Sequence, residues 1–235
     1  MNVRAAATAC LLLAILGLSA CSVPGLPGSP NGLTVRGQLE TDAGTAAPVT
    51  LRGDFDTAYY RHADDNTVTF VLLEGPEAHP TQAAIVRLFW RPRAGRTPLE
   101  ETATNCTITY LVFADDPEGD QRNPGQLGLY SGAGFLHLGG SPGPSDLSAD
   151  MWDAALNLET RSGRFVDLLG EATLTGSFQA RRDPAKVASL LADLNQRIYT
   201  RLGFPRMVAV PASADPKPPT SASPATTTVP AQGTG

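Results

Sequence analysis

Apolar and polar side chains alternate with a period of two along several short segments, and this pattern limits the possible folds most strongly. The alternation runs through residues 67–72, 84–91, 106–113 and 127–138, and clusters of Gly and Pro separate these segments. Half-buried strands at this spacing are typical of all-β domains. The sequence therefore predicts a mainly β domain over residues 33 to 182, an antiparallel β-sandwich or a partly open barrel.

A pattern of apolar, polar, Gly, polar and apolar residues occurs three times, at residues 35–39, 51–55 and 174–178. Gly on the inward face of a strand marks a kink, a bulge or the close approach of another backbone. The first two copies are 16 residues apart, which fits neighbouring strands. An ancestral repeat and shared strand chemistry both explain the recurrence, and we favour strand chemistry.

One amphipathic helix is predicted over residues 183 to 203. Asp183 is a suitable N-cap and Pro184 suits the first turn, whereas Gly203 suits the C-cap and Pro205 prevents continuation. The apolar residues between them follow a helical spacing: Val187, Leu190, Leu191, Leu194, Ile198 and Leu202. We expect this stripe to pack on the β domain; a partner protein or the membrane surface is the alternative.

The N-terminus has the order of a bacterial export signal. Arg4 precedes the apolar run at residues 10–18, which is shorter than the roughly 20 residues that a membrane span needs. The run ends in Leu18-Ser19-Ala20-Cys21, which resembles the lipobox of bacterial lipoproteins. The resemblance covers residues 1 to 22. It implies that residues 1 to 20 are a signal peptide and that Cys21 receives a diacylglyceryl group.

Both ends of the predicted mature chain lack the pattern of a folded domain. Residues 21 to 32 are rich in Pro and Gly, which predicts a short tether behind the lipidated Cys21. Residues 211 to 235 consist mostly of Pro, Ser, Thr and Ala, which predicts a disordered tail. Ser22 follows the lipid cysteine, and by resemblance to lipoprotein sorting this favours the periplasmic side of the outer membrane over the inner membrane.

Charge and cysteine content exclude several classes of partner. The formal net charge is -5, and removal of the signal peptide with Arg4 makes the mature chain more acidic, so we expect no nucleic-acid partner. Cys106 is the only thiol left after processing, and we predict that it is a small buried residue in a strand. The chain has no Gly-rich phosphate loop and no Cys-x-x-Cys pair, and we expect no cofactor.

Acidic residues alternate after the strand that contains Cys106, at Asp116, Glu118 and Asp120. Oxygen ligands from a tight loop suit Ca²⁺, so these residues are candidate ligands of a calcium-dependent adhesion module. The EF-hand order is missing, however, and we favour a solvated turn over a metal site. Asp64, Asp65 and Asn66 are likewise predicted to form a turn between two strands.

Four residues form a predicted outward ladder that would bind an anionic polymer or lipid headgroups: Arg87, Phe89, Arg91 and Arg93. Cross-strand pairing of these arginines with acids such as Asp54 and Asp56 is the alternative, and we favour it.

These features together predict a cell-envelope lipoprotein that is not an enzyme and acts as a binding or accessory module. Its expected partners are the membrane, through Cys21, and an envelope protein or glycan. An envelope enzyme assembled from scattered Asp, Glu and His residues is the alternative class. The three histidines follow no metal-ligand spacing; we predict loops for His62 and His79 and an outward strand position for His137.

Overall fold

The computed structural model describes residues 31–40, 46–92, 103–114 and 125–205. Within these ranges the chain consists of strands and one helix, as predicted. The strands are β1 (Gly32–Glu40), β2 (Ala46–Asp54), β3 (Thr57–His62), β4 (Val68–Glu74), β5 (Gln82–Leu88), β6 (Cys106–Ala114), β7 (Gln126–Leu138), β8 (Asp146–Arg161) and β9 (Glu171–Arg182), and the helix is α1 (Pro184–Leu202). The signal peptide, residues 21 to 30 of the tether, and the tail at residues 211 to 235 lie outside the described residues.

The nine strands form one sheet in the order β2-β1-β9-β3-β4-β5-β6-β7-β8, and β9 also pairs with β8. This second pairing closes the strands from β3 to β9 into a ring. The ring is antiparallel except where β3 meets β9 in two parallel residue pairs, Tyr59 with Arg181 and Tyr60 with Arg182. Because this closure is so short, the sheet is a partly open barrel, and the predicted fold class is confirmed.

The three copies of the recurring Gly pattern lie side by side in this sheet. β1 pairs with β2 on one side and with the first half of β9 on the other. Val35 consequently lies opposite Leu51 and opposite Leu174, which are the first residues of the other two copies. The prediction that the first two copies are neighbouring strands is confirmed, and the third copy joins them.

Two glycines of the pattern allow another backbone to approach closely. A Cβ atom at Gly37 would overlap the carbonyl oxygen of Leu169, and one at Gly176 would overlap the carbonyl oxygen of Gly32. Gly176 also has a φ of +146°, which side chains rarely adopt. Local backbone contacts therefore explain these glycines without an ancestral repeat.

Inward side chains of all nine strands fill the barrel with one apolar core. Its largest members are fully buried aromatic residues: Phe55, Tyr60, Phe70, Tyr110, Tyr130 and Phe178. The rings of Phe70 and Phe178 meet edge to face, with 5.1 Å between their centroids. The interior of the barrel is therefore a packed core that holds the strands together.

Helix α1 covers a second apolar cluster on the outer face of β4 to β7. Five residues of its predicted stripe are buried there: Val187, Leu190, Leu191, Leu194 and Ile198. The strands beneath supply Val71, Leu73, Ala83, Ile85, Leu111, Phe113, Leu127 and Leu129. β4 and β5 are buried on both faces for this reason, which explains their long apolar runs.

The predicted capping residues set both ends of the helix. The Asp183 carboxylate accepts a hydrogen bond of 2.8 Å from the backbone N–H of Lys186. Gly203 has a φ of +81°, and its N–H donates to the carbonyl of Tyr199 over 2.8 Å. A salt bridge of 2.6 Å from Lys186 to Glu77 joins the first turn of the helix to the loop between β4 and β5.

The segment between β8 and β9 covers one end of the barrel. Phe165 and Leu169 from this segment are buried in the inner core. The Asp167 carboxylate accepts hydrogen bonds from the Tyr130 hydroxyl over 2.7 Å and from the Leu169 N–H over 3.0 Å. This carboxylate therefore fixes the segment to the barrel wall.

Candidate functional site

A row of four aromatic side chains lies on the outer surface of the barrel, and we call it the aromatic row: Trp90, Phe135, Trp152 and His137. The ring centroids of Trp90 and Phe135 are 6.4 Å apart, and those of Phe135 and Trp152 are 6.2 Å apart. His137 stacks on Trp152 with centroids 6.1 Å apart and 10° between the ring planes. The row thus reaches from the end of β5 across β7 to β8.

Strand alternation places two members of the row on the outer face. In β7, Leu136 and Leu138 point into the core, so Phe135 and His137 face outward. The strand register puts Phe135 opposite Trp152 and His137 opposite Asp150. His137 therefore faces outward from a strand, as predicted.

A β-bulge in β8 directly follows Trp152, which alternation already places on the outer face because Met151 points into the core. The register with β9 shifts between Met151, which pairs with Gly176, and Ala154, which pairs with Leu174. Trp152 and Asp153 lie within this shift and are both exposed. Asp153 has a φ of +41°, which is uncommon for any residue other than glycine, although Asp tolerates it better than most. Such a bulge re-aims side chains and is frequent beside functional sites.

The indole of Trp152 is 58% exposed, an unusual state for the largest apolar side chain. Burying apolar surface stabilises a fold by about 25 cal/mol per Å², so this indole contributes little of its surface to folding. Contiguous exposed apolar surface is a candidate contact surface, whereas single exposed apolar residues are ordinary.

A groove with mixed polar and apolar walls adjoins the aromatic row. It begins as a depression of about 360 Å³ beside Trp152, where Asp150, Asp153, Thr175 and Ser177 supply polar groups. Asp153 and Thr175 also line a larger cleft of about 1180 Å³ that extends over the outer face of β8, β9, β1 and β2. We call the depression and the cleft together the groove.

Apolar side chains such as Val49 and Leu156 line part of the cleft, and hydroxyl, amide and carboxylate groups line the rest: Thr50, Asp153, Asn157, Glu171, Thr173 and Thr175. Arg36 supplies the guanidinium group there, opposite Thr50 and Thr173 in the sheet. The groove as a whole carries more carboxylates than cations, since Asp150 and Asp167 line it as well. It therefore disfavours strongly anionic ligands.

His137, Asp150 and Ser177 lie next to one another across β7, β8 and β9. The aspartate is the middle member of this set. Adjacent strands are about 4.8 Å apart, so the backbones of His137 and Ser177 are separated by roughly 10 Å. A serine nucleophile needs the histidine next to it and the carboxylate behind the histidine. This set has the wrong order for nucleophilic catalysis.

Only one residue of the predicted arginine ladder, Arg87, lies on a strand among the residues that the structure describes. Arg87 faces outward from β5, but the strand ends at Leu88, so Phe89 and Arg91 do not extend it. Phe89 is 48% exposed, and Arg91 donates a hydrogen bond of 2.9 Å to the Ser141 hydroxyl. Arg93 lies outside the described residues.

The predicted pairing of this ladder with Asp54 and Asp56 is wrong for Arg87. The register places Thr69 and Thr107 opposite Arg87. The carboxylate of Asp56 instead accepts a hydrogen bond from the backbone of the turn after β4. Arg87 lies close enough to Arg61 for their positive charges to interact. Burial lowers the pKa of Arg61, and the charge of Arg87 lowers it further.

The structure tests only some of the remaining predicted site residues. Cys21 and the calcium candidates Asp116, Glu118 and Asp120 lie outside the described residues. Among the residues that the structure describes, no three His, Cys, Asp or Glu side chains are grouped as metal ligands would be. The loop prediction for His62 is wrong, because this residue ends β3 and pairs with Val68. His79 lies in an exposed loop, as predicted.

Two of the local predictions are confirmed in detail. The Asp64 carboxylate accepts hydrogen bonds from the backbone N–H groups of Asn66 (2.7 Å) and Thr67 (2.8 Å), which form the turn and lower the Asp64 pKa. Cys106 is buried in β6, and burial raises the pKa of its thiol to about 12. Such a thiol stays protonated at neutral pH and is unsuited to nucleophilic chemistry.

The sequence predictions missed Trp152, Asp150 and Asp153. One signal for them exists in the chain. Inward residues of β8 follow a period of two up to Met151 and resume at Ala154, three positions later. The alternation up to Met151 places Trp152 on the outer face, and the break after it marks the bulge that contains Asp153.

Across the described part of the chain, no helix has both the length and the apolar character needed for a membrane crossing. Comparison of the chain with protein-family models, with curated proteins and with solved structures gives no match.

Proposed function

We propose that this protein is a cell-envelope lipoprotein, anchored through a lipid on Cys21, and that it is a non-catalytic binding module. The observation that carries the binding function is the aromatic row, with Trp152 58% exposed, beside a groove whose walls combine polar and apolar groups. Small-molecule and polymer sites combine aromatic surfaces with a few polar groups in this way.

The lipobox supports the anchor. A diacylglyceryl group supplies two acyl chains, which suffice for stable membrane attachment where one is marginal. The tether between Cys21 and the first strand spans at most about 33 Å when extended. The binding surface is then held close to a bilayer, on the periplasmic side of the outer membrane.

The start of β1 lies near the aromatic row. Gly32 is opposite Ser177, Ser177 is opposite Asp150, and Asp150 is opposite His137. Three strand spacings, or about 14 Å, separate Gly32 from His137. The end of the tether and the binding surface are thus neighbours, which supports a ligand close to the membrane.

The anchor is tested by substituting the cysteine. Wild-type protein should incorporate labelled palmitate and sediment with membranes at mature size, whereas Cys21→Ala should incorporate none and should either be released or remain unprocessed. A Cys21→Ala protein that is processed to mature size and remains with membranes would refute lipid anchoring.

The binding function is tested with immobilised protein and solubilised envelope fractions. We expect the wild-type protein and Tyr199→Ala to retain the same envelope component, protein or glycan, and Trp152→Ala to lose it. Tyr199 is a matched control because it is a 50% exposed aromatic residue on α1. Equal retention by all three proteins would refute a binding role for the aromatic row.

A further inference from the structure

We infer that the aromatic row and the groove bind a neutral glycan chain of pyranose rings. This inference rests on the proposed binding function and names its ligand class. Three properties of the surface carry it: the exposed indole, the open arrangement of the rings, and the chemistry of the groove walls.

The exposed indole suits a sugar ring. A pyranose has one face of C–H groups and a rim of hydroxyl groups. The face of an aromatic ring carries partial negative charge and attracts the weakly positive C–H hydrogens. Trp152 offers such a face to solvent, and His137 stacked at 10° supports the indole from one side.

The rings form an open row, not a cage. Centroid separations of 6.4 Å from Trp90 to Phe135 and 6.2 Å from Phe135 to Trp152 spread the rings across the strands, and His137 lies beside Phe135 on β7, 6.1 Å from Trp152. A site for a compact cation would turn several ring faces toward one point. Rings distributed across neighbouring strands instead match an extended ligand with repeated units.

The walls of the depression match the hydroxyl rim of a sugar. The carboxylates of Asp150 and Asp153 can accept hydrogen bonds from sugar hydroxyls, and the hydroxyls of Thr175 and Ser177 can donate or accept them. The same carboxylates repel phosphorylated or uronic-acid polymers. The ligand is therefore neutral along the part that contacts Trp152.

The length of the groove indicates a chain of several sugar units. Asp153 and Thr175 belong to both the 360 Å³ depression and the 1180 Å³ cleft, so a ligand stacked on Trp152 can continue over β9 and β1. Asp153 stands at the junction with its φ of +41°. The bulge that contains Asp153 directly follows Trp152, so the exposed tryptophan and the junction are adjacent in the chain.

The test titrates the full chain with four probes: the β-1,4-linked N-acetylglucosamine tetramer, cellotetraose, polygalacturonate as an anionic polymer, and tetramethylammonium as a compact cation. Calorimetry gives the affinity, and tryptophan fluorescence reports the site because the chain has 2 Trp residues. We expect saturable binding of at least one of the two neutral tetramers, with a change in indole emission, and no binding of the other two probes.

Matched variants identify the site. Trp152→Ala should weaken neutral-tetramer binding by about tenfold or more, which corresponds to about 1.4 kcal/mol. Asp153→Asn keeps a side chain that tolerates positive φ, removes the charge, and should weaken binding by a smaller factor. Tyr199→Ala should bind as the wild-type protein does.

Several results would overturn the inference. Failure of both neutral tetramers, equal binding by Trp152→Ala, or preferential binding of polygalacturonate or tetramethylammonium would each refute a neutral glycan site. If the tetramers fail while envelope fractions still yield a Trp152-dependent protein partner, the binding function stands and the glycan assignment falls.

Discussion

The indole of Trp152 and the imidazole of His137 lie parallel across β8 and β7, with centroids 6.1 Å apart and 10° between their planes. They are diagonal neighbours, since the residues directly opposite them are Phe135 and Asp150. Diagonal pairs in a sheet are within reach only of long or aromatic side chains. Here an exposed tryptophan on the outer face of β8 occupies that position.

Trp152→Ala should lower the free energy of unfolding by no more than about 1.5 kcal/mol, the worth of an aromatic contact. Most of the indole is in water, so little burial is lost. Phe178→Ala, which removes a ring that is 1% exposed, should cost about 3–5 kcal/mol. Urea unfolding of both variants measures the difference. Equal costs would mean that Trp152 is a core residue.

Leu194→Ala should destabilise the protein by about 2–5 kcal/mol, because the side chain is 2% exposed between α1 and the sheet. Asp193→Ala on the exposed face of the helix should stay within about 0.5 kcal/mol of the wild-type protein. Urea unfolding gives both values, because a change in the midpoint with an unchanged dependence on urea concentration reports a change in the free energy of unfolding. A neutral Leu194→Ala would show that the helix does not depend on this contact.

Gly37→Ala should destabilise by about 1–3 kcal/mol or more, since the new Cβ atom would overlap backbone atoms of Leu169 that cannot rotate away. Gly163→Ala places its Cβ atom in open space and is the control. Thermal unfolding of the two variants should separate them by several degrees. Similar melting temperatures would contradict the close backbone approach at Gly37.

The Cys106 thiol should resist iodoacetamide at pH 8 in the folded protein and react after unfolding in urea. Peptide mass mapping detects the modification. The folded pKa of about 12 exceeds the usual 9.0, so the folded state keeps a proton that the unfolded state releases. The contribution of this thiol to the free energy of unfolding is therefore fully present below pH 9, and it is lost as the pH rises from 9 toward 12. Cys106→Ala should flatten this alkaline decline, and an unchanged slope would contradict the assignment.

Tyr130→Phe should cost about 1.5–3 kcal/mol, because it removes the 2.7 Å hydrogen bond to the Asp167 carboxylate that fixes the segment over the barrel end. The control is Tyr199→Phe, which removes a hydroxyl from an exposed side chain. Hydrogen exchange at the amides of residues 165–170 should rise in Tyr130→Phe alone. Unchanged exchange there would show that other contacts hold this segment.

Much of the fold could be predicted because its signals are local. Asp183, Pro184 and Gly203 set the helix ends through their own backbone preferences and hydrogen bonds. The apolar runs at β4 and β5 indicate strands, but they do not separate the inner from the outer face, because α1 buries the outer face as well. His62 was misplaced because a strand end depends on its partner, here Val68, more than on nearby residues.

By itself the sequence determined the strand alternation, the capped helix, the turn at Asp64 and the lipobox at Cys21, because each depends on residues close together in the chain. Tertiary structure alone decided the closure of the barrel and the register across its strands. The aromatic row depends on that register, since Trp90, Phe135 and Trp152 are distant in sequence and meet only when β5 to β8 pair. Alternation fixes which side chains of a strand face outward, but which strands become neighbours is decided by contacts between residues that are distant in sequence.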